Sequence, residues 1–393
     1  MKNSKTEGAL IIKRKFVELL AERLRHDMGL IQVVLGPRQI GKTTGVKQLL
    51  SEWHGPALFV SADEEALPDE NWIRFQWERA KSRGKETLFV VDEIQKVHDW
   101  SRIIKVLFDK DRISHPLKII LLGSASLKIQ KGLTESLMGR YETTYVPHWT
   151  FEECKSCFGW SFRQYLLYGG YPASAALITD QKRWKKFIRD AIIEPVITQD
   201  LLEIADVYKP ALFRQCFELA MSFPAQEISL QKLLGQLQEN GNVSTIKHYL
   251  DLFEGAFLLR TLQKYSGSVV TKRSSSPKIL PLNTALVQGL RPIGLGEEDP
   301  DWYGRLFECI VGTKLTTFEG HLYYWREGPY EVDFVLDTGD RLVAVEAKSG
   351  RRSHFKGLMK FCADYPHAEV AIIDSENIES FLGTADVATL KHL

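Results

Sequence analysis

The sequence predicts an α/β chain in several domains: a parallel-sheet domain in front, a helical region behind it, and a smaller α/β domain at the end. Three observations predict this. The chain has 393 residues, more than one core serves at about 100–200 residues per domain. Short apolar runs without polar alternation recur through the first 150 residues, separated by helix-length stretches, as buried parallel strands do. That rhythm stops near Trp149 and a strand-rich pattern returns after Asp301.

In the first domain, residues 1–150, strands are expected at Leu30–Leu35, Leu58–Val60, Leu88–Val91, Ile119–Leu122 and Thr143–Val146. Residues 151–265 read as mostly helical, punctuated by Gly169, Gly170 and Pro172. Residues 266–300 read as a linker, because Ser266–Pro277 and Pro292–Pro300 are rich in turn formers. The last domain, 301–393, opens on a helix, Tyr303–Thr316. Strands follow at Leu322–Trp325, Val332–Leu336 and Leu342–Ala347, and another lies near Glu369–Ile373.

A hydrophobic fraction of 44% with 26% charged residues is ordinary globular composition and excludes disorder and collagen-like structure. The balance of 51 Lys+Arg against 50 Asp+Glu excludes a uniformly basic nucleic-acid binder, while leaving room for local basic faces. No apolar run approaches the ~18 residues that cross a bilayer, and Met1–Lys15 has no signal-peptide core, so no membrane association is expected. Five scattered cysteines suggest reduced thiols in a cytoplasmic protein.

The sharpest motif is Gly36-Pro37-Arg38-Gln39-Ile40-Gly41-Lys42-Thr43, followed by Thr44, which fits G-x-x-x-x-G-K-[ST] at every fixed position. It follows an expected strand and opens an expected helix, Thr43–Trp53, which is the setting a phosphate loop needs. Its glycines let backbone N–H groups wrap the phosphates of ATP, and the helix N-terminus adds a favourable field. Lys42 is expected at the β- and γ-phosphates and the Thr43 hydroxyl on Mg²⁺. About fifty residues on, Leu88–Val91 ends in Asp92 and Glu93: Asp92 is expected to organise the Mg²⁺ and Glu93 to orient the attacking water. Ser124, after the next strand, is a candidate γ-phosphate sensor. Arg140, before the fifth strand, is a candidate arginine finger reaching a neighbouring subunit, with a surface salt bridge as its other reading.

Taken together, residues 30–150 resemble an AAA-type ATPase of the P-loop class. More narrowly, the chain resembles bacterial and archaeal AAA ATPases that carry a C-terminal domain of unknown function with a nuclease-like core. The phrases that carry the likeness are Gly36–Thr44, Val91–Gln95, Gly123–Leu127, Glu135–Tyr141, Gly169–Pro172 and Ser276–Lys278. The resemblance implies ATP and Mg²⁺ as cofactors and a homo-oligomer, with a hexameric ring as one arrangement. Where that family usually has an Asp and a Gly after the Ser-Pro-Lys stretch, this chain has Asn283 and Ala285.

In the middle region, Ile228–Leu237, a turn at Glu239–Gly241 and Asn242–Ala256 read as a helix–turn–helix of the winged kind, with Asn242 as N-cap. Val243, Ile246, Leu250, Phe253 and Phe257 make its apolar stripe. Ser244, Thr245, Lys247 and His248 are left to meet DNA, although Asp251 and Glu254 disfavour deep insertion. Lys182–Lys186 with Arg189 reads as a solvated basic face. Cys154, Cys157 and His148 fall one ligand short of a structural zinc site.

In the last domain Asp333 precedes Glu346-Ala347-Lys348 in a D-x12-E-x-K pattern. Strand alternation puts Val332, Phe334 and Leu336 on one face and Asp333 on the other, with Glu346 and Lys348 together on the next strand. If the strands pair, the charges converge. Two carboxylates can hold Mg²⁺, and a lysine can steady the transition state. Glu308, on the preceding helix, is the candidate further metal ligand. This resembles the PD-(D/E)xK nuclease core, a restriction-endonuclease-like α/β domain. Arg351, Arg352, His354, Lys356 and Lys360 follow, a basic stretch suited to phosphates. The expected function is an ATP-hydrolysing, DNA-processing protein with a Mg²⁺-dependent deoxyribonuclease domain. The alternative is an ATP-dependent switch whose nuclease-like domain binds without cutting.

Overall fold

The computed structural model describes residues 12–26, 29–123, 133, 136–201, 209–237, 242–266, 275–292, 294–350 and 355–392. The chain forms two compact units, Met1–His148 and Trp149–Leu393.

The first unit alternates helix and strand: α1 (Lys15–Arg25), β1 (Ile31–Leu35), α2 (Lys42–Ser51), β2 (Ala57–Ser61), α3 (Glu70–Ser82), β3 (Leu88–Asp92), α4 (Trp100–Asp111), β4 (Lys118–Leu122) and β5 (Tyr141–Tyr145). The sheet order is β2-β3-β4-β1-β5, and every pairing is parallel. β1 and β3 are buried along their whole length, which is why they read as continuous apolar runs. β2, at an edge, alternates between buried and half-buried. In this order β4 lies between β1 and β3, so the C-terminal ends of all three open on one edge of the sheet. Ligands of open parallel sheets bind at that edge.

The second unit begins with α5 (Phe151–Phe158) and α6 (Phe162–Tyr168), each started by a capping box, at Thr150 with Glu153 and at Ser161 with Gln164. α7 (Gln181–Phe187) runs on into π-helical turns over Ile188–Ile193. Then come α8 (Pro210–Met221), β6 (Gln226–Glu227), α9 (Leu230–Gly235), α10 (Val243–Gly255), β7 (Leu259–Lys264), β8 (Lys278–Pro281) and α11 (Thr284–Leu290). Ile246, Tyr249, Leu250, Leu252 and Phe253 are the buried side of α10; Val243 and Phe257, expected in that stripe, are half-buried. The chain ends with α12 (Pro300–Leu315), β9 (His321–Glu327), β10 (Tyr330–Asp337), β11 (Leu342–Lys348), α13 (Lys356–Asp364), β12 (Glu369–Asp374) and α14 (Ile378–Gly383).

One sheet runs through this unit in the order β12-β11-β10-β9-β7-β8-β6. The stretch expected as a linker therefore supplies β8, buried at all four positions, and the buried helix α11. Two features disguised β8 in the sequence: it is four residues long, and it is bounded by a lysine and a proline.

Strict alternation also fails in β10. The register against β9 shifts by one residue between Val332 and Val335, a β-bulge. Val332 and Val335, three apart, consequently pack in one cluster with Leu358 and Phe361 of α13. Phe334 lies instead against α12, where a side chain at Gly312 would meet its ring at 2.6 Å. Val332 and Phe334, expected on one face, do not share it, and the bulge between Val332 and Val335 is the reason.

Candidate functional sites

The phosphate loop runs from the end of β1 to the start of α2. A Cβ at Gly36 would stand 2.3 Å from the Val146 carbonyl oxygen, so only glycine lets the loop leave β1 this close to the end of β5. At Gly41 space is open and the constraint is the backbone, which is left-handed at φ 88°. Lys42 is buried, and its Nζ donates to the carbonyls of Gly36 at 2.8 Å and Pro37 at 2.6 Å. The ammonium thus lies inside the loop it serves. Thr43 Oγ1 donates to Asp92 Oδ2 at 2.8 Å, and Glu93 N donates to Asp92 Oδ1 at 3.0 Å. Burial pushes the Asp92 carboxyl above its ordinary range, repulsion from Glu93 adds to this, and the Thr43 hydrogen bond pulls it back. A buried carboxylate beside a hydroxyl fits Mg²⁺, which would carry part of the triphosphate charge when bound with ATP. Glu93 sits in the left-handed region, φ 52°, and its carboxylate accepts from Gln95 Nε2.

Sequence reasoning missed Arg14. This buried guanidinium donates to the carbonyls of Ile40 at 3.0 Å and Pro147 at 3.0 Å, and to that of His148 at 3.4 Å. It ties the phosphate loop to the last residues of the first unit. A lone arginine near the start of a chain gives no motif that could have signalled this.

Arg140 forms a two-pronged pair with Asp109 of α4, Nε to Oδ1 at 2.7 Å and the second prong to Oδ2 at 2.8 Å. Its partner in this structure is within the chain. Ser124 lies outside the described residues, as do Arg351, Arg352 and His354.

In the second unit, the register Phe334↔Val345 brings Asp333 beside Glu346. Ala347 N donates to Asp333 Oδ2 at 2.9 Å. Lys348 Nζ pairs with Glu346 Oε1 at 2.6 Å and lies 4.0 Å from Asp333 Oδ2. Glu346 Oε2 is buried without a hydrogen-bond partner. Burial, then repulsion from Asp333, pushes the Glu346 carboxyl up to about 7, with Lys348 pulling it down. Asp333, Glu346 and Lys348 therefore meet as expected.

Glu308, the further candidate ligand, is ion-paired with a lysine. Among the described residues no three His, Cys, Asp or Glu side chains gather to hold a metal. The lysine is Lys278, which opens β8. It is 1% exposed, and its ammonium is paired with Glu308 and lies 4.0 Å from both Asp333 Oδ1 and Glu331 Oε1. Burial opposes that charge, but the surrounding carboxylates outweigh it and hold the lysine above its ordinary range. Asp333 and Glu346 remain suited to a divalent ion, because a buried carboxylate oxygen with no partner is left to one of them.

Asn283 caps α11, accepting from Ala285 N at 3.0 Å, and the same oxygen accepts from Gly170 N at 3.1 Å. A Cβ at Gly169 would stand 2.0 Å from that oxygen. The Gly169–Pro172 phrase and Asn283 are thus one structural joint, and it needs only an acceptor oxygen, which Asn supplies as Asp would.

Comparison with known proteins agrees with the first unit. Residues 29–155 match an AAA domain. Residues 159–299 match a domain of unknown function, DUF8612, and residues 303–393 match another, DUF4143. The uncharacterized protein Rv2008c of Mycobacterium tuberculosis is 28% identical over 366 residues, spanning 90% of this chain and 78% of the relative. An uncharacterized protein of Haemophilus influenzae is 23% identical over 371 residues, spanning 86% of each chain. The Walker-type ATPase PABY2304 of Pyrococcus abyssi has a similar fold, with a TM-score of 0.52 at 15% identity, over 72% of this chain and 96% of that one. The chain carries an AAA-type P-loop ATPase domain. No helix among the described residues is long and apolar enough to cross a membrane.

Proposed function

We propose that the chain is an ATP-hydrolysing, Mg²⁺-dependent protein that processes DNA, with a metal-dependent nuclease of the PD-(D/E)xK kind as its C-terminal core. The observation that carries this is the meeting of Asp333, Glu346 and Lys348 on paired strands β10 and β11. Their setting supports it: helix α12, the β9-β10-β11 meander, helix α13, then β12 parallel to β11. That is the order expected of a restriction-endonuclease-like core. In this reading Asp333 and Glu346 hold the divalent ion, which supplies Lewis-acid stabilisation of phosphate charge. Lys348, beside both carboxylates, steadies charge on the attacked phosphate.

The order α8, β6, α9, α10, β7, β8, with β8 pairing antiparallel to both β6 and β7, supports a winged helix. Ser244, Lys247 and His248 on the exposed side of α10 are its DNA-facing residues. The ATPase domain works as a homo-oligomer, with Arg140 completing a neighbour's site. A second reading, a switch that binds DNA without cutting it, is favoured by the direct Lys348–Glu346 pair, which is also what an inert ion pair looks like.

The test uses the full chain with branched, single-stranded and duplex DNA, with Mg²⁺ or Mn²⁺, with and without ATP. Metal-dependent cleavage that Glu346→Ala removes while ATPase activity persists is the expected result. Binding that weakens with salt, with no cutting under any metal, establishes the second reading instead.

A further inference from the structure

We propose that Lys278 is a built-in cation of the C-terminal acidic cluster: it neutralises Glu308, so the site takes a single divalent ion, held by Asp333 and Glu346 alone. The inference rests on the metal-site reading above and adds which carboxylates are open to the ion.

The geometry is specific. Lys278 is fully buried, yet it stands on a strand of the middle region and reaches into a site built by β10, β11 and α12. Its ammonium is satisfied from several sides. It pairs with Glu308, donates to the Asp333 carbonyl at 3.1 Å and lies 4.9 Å from the centre of the Phe334 ring. A buried charge with this many partners is costly to dislodge, because each partner would be left unpaired. A metal ion bound through Glu308 would have to share space with that ammonium, and two cations at such range repel strongly in a buried site.

The opposite side of the cluster differs. Glu346 Oε2 is buried and lacks a hydrogen-bond partner, as Glu308 Oε1 does, but the cation on this side, Lys348, is partly exposed and can yield to an incoming ion, whereas Glu308 Oε1 is ion-paired with the fully buried Lys278. Two carboxylates, not three, are presented, consistent with the lack of a three-ligand group among the described residues. Lys278 is thus a positioning residue: it orients Asp333 through its carbonyl and withdraws Glu308 from the ligand set.

The experiment is a Mn²⁺ titration of the full chain by calorimetry, without nucleotide and in an Asp92→Asn background to silence the phosphate-loop site. One ion per chain is expected. The double variant Lys278→Met/Glu308→Gln, which removes the ion pair as a unit, should leave Mn²⁺ affinity within about twofold, whereas Asp333→Asn and Glu346→Gln should each weaken it on the order of tenfold or more. Lys278→Met, where melting shows it folded, should tighten Mn²⁺ binding at least about tenfold, since a repelling charge is gone and Glu308 is freed. Two ions per chain, a tenfold loss in the folded Lys278→Met/Glu308→Gln double variant, or unchanged affinity in folded Lys278→Met overturns the proposal. Absence of Mn²⁺ binding in every variant, the parent included, overturns the metal-site reading itself.

Discussion

Thr43 and Asp92 are joined by a 2.8 Å hydrogen bond although one opens α2 and the other closes β3, with β4 between their strands. Hydroxyl and carboxylate thus stand as a pair at the C-terminal edge of the sheet. Lys42, by contrast, is engaged by carbonyls of its own loop and must turn from them to reach a phosphate.

That difference separates the roles of two residues. Lys42→Ala should abolish ATP binding, because the β- and γ-phosphates lose their counter-charge. Glu93→Gln should keep binding while hydrolysis falls by several orders of magnitude, since only the orientation of water is lost. A fluorescent-nucleotide titration beside a phosphate-release assay reads both. Equal loss of binding in the two variants contradicts the assignment of Glu93.

Arg140 has to leave Asp109 to act between subunits. The pair is surface-placed and screened by solvent, so releasing it costs little. Mixing Arg140→Ala with Lys42→Ala subunits should recover ATPase activity that neither has alone, because each lacks a different half of a shared site. Mixtures that co-assemble and stay inactive assign Arg140 to bracing α4 instead.

The first unit was legible because its inner strands, β1, β3 and β4, are buried on both faces and its motif has fixed spacing, two signals that a single sequence carries without tertiary information. Asp333, Glu346 and Lys348 were legible for a similar reason: they sit on two long neighbouring strands. Phe334 was misplaced because a bulge has no reliable signature, and one extra residue reverses the alternation beyond it. Lys278 stood in the quoted Ser276–Lys278 phrase, yet its role was invisible, since its partners lie 30 or more positions away and a lysine at the head of a short strand reads as surface.

Asn283 gives a test of the joint it makes with Gly169 and Gly170. Asn283→Ala strips the acceptor from two buried N–H groups and should cost about 2–4 kcal/mol, at about 1–2 for each orphaned donor. Asn283→Asp should cost much less, because the acceptor is retained. Urea unfolding of the three proteins checks this; equal losses in both variants contradict the acceptor role.

Asp111 offers a pH-dependent signature in the ATPase domain. Burial would raise its carboxyl, but the Trp77 Nε1 hydrogen bond at 2.9 Å and Lys81 at 3.1 Å outweigh that and hold it below its ordinary value of 3.8. The unfolded chain therefore takes up the proton first as pH falls. The stabilisation is complete above the ordinary value and is lost as pH drops through the lowered one. Asp111→Asn should cost about 1.5–3 kcal/mol near pH 7, and the gap from the parent should narrow below about pH 3.8 in melts.

Lys348 separates metal binding from cleavage. Its ammonium contacts Glu346 Oε1, whose carboxyl is already pushed up to about 7 by burial and by Asp333. Lys348→Met removes the largest influence that favours the charged carboxylate, so a proton competes more strongly with the metal, but it also removes a cation that repels the ion, and Mn²⁺ affinity near neutral pH should be roughly kept. It should rise toward pH 8.5, as more of the carboxylate ionises. On the proposed role of Lys348, cleavage should not recover with it, because the lysine that would steady phosphate charge is still missing, a loss on the order of 10²–10³ in rate. Measuring Mn²⁺ affinity and DNA cleavage side by side at pH 7 and 8.5 distinguishes the two effects. Cleavage that returns together with metal affinity at the higher pH would reduce Lys348 to a counter-ion of Glu346 and take it out of the reaction.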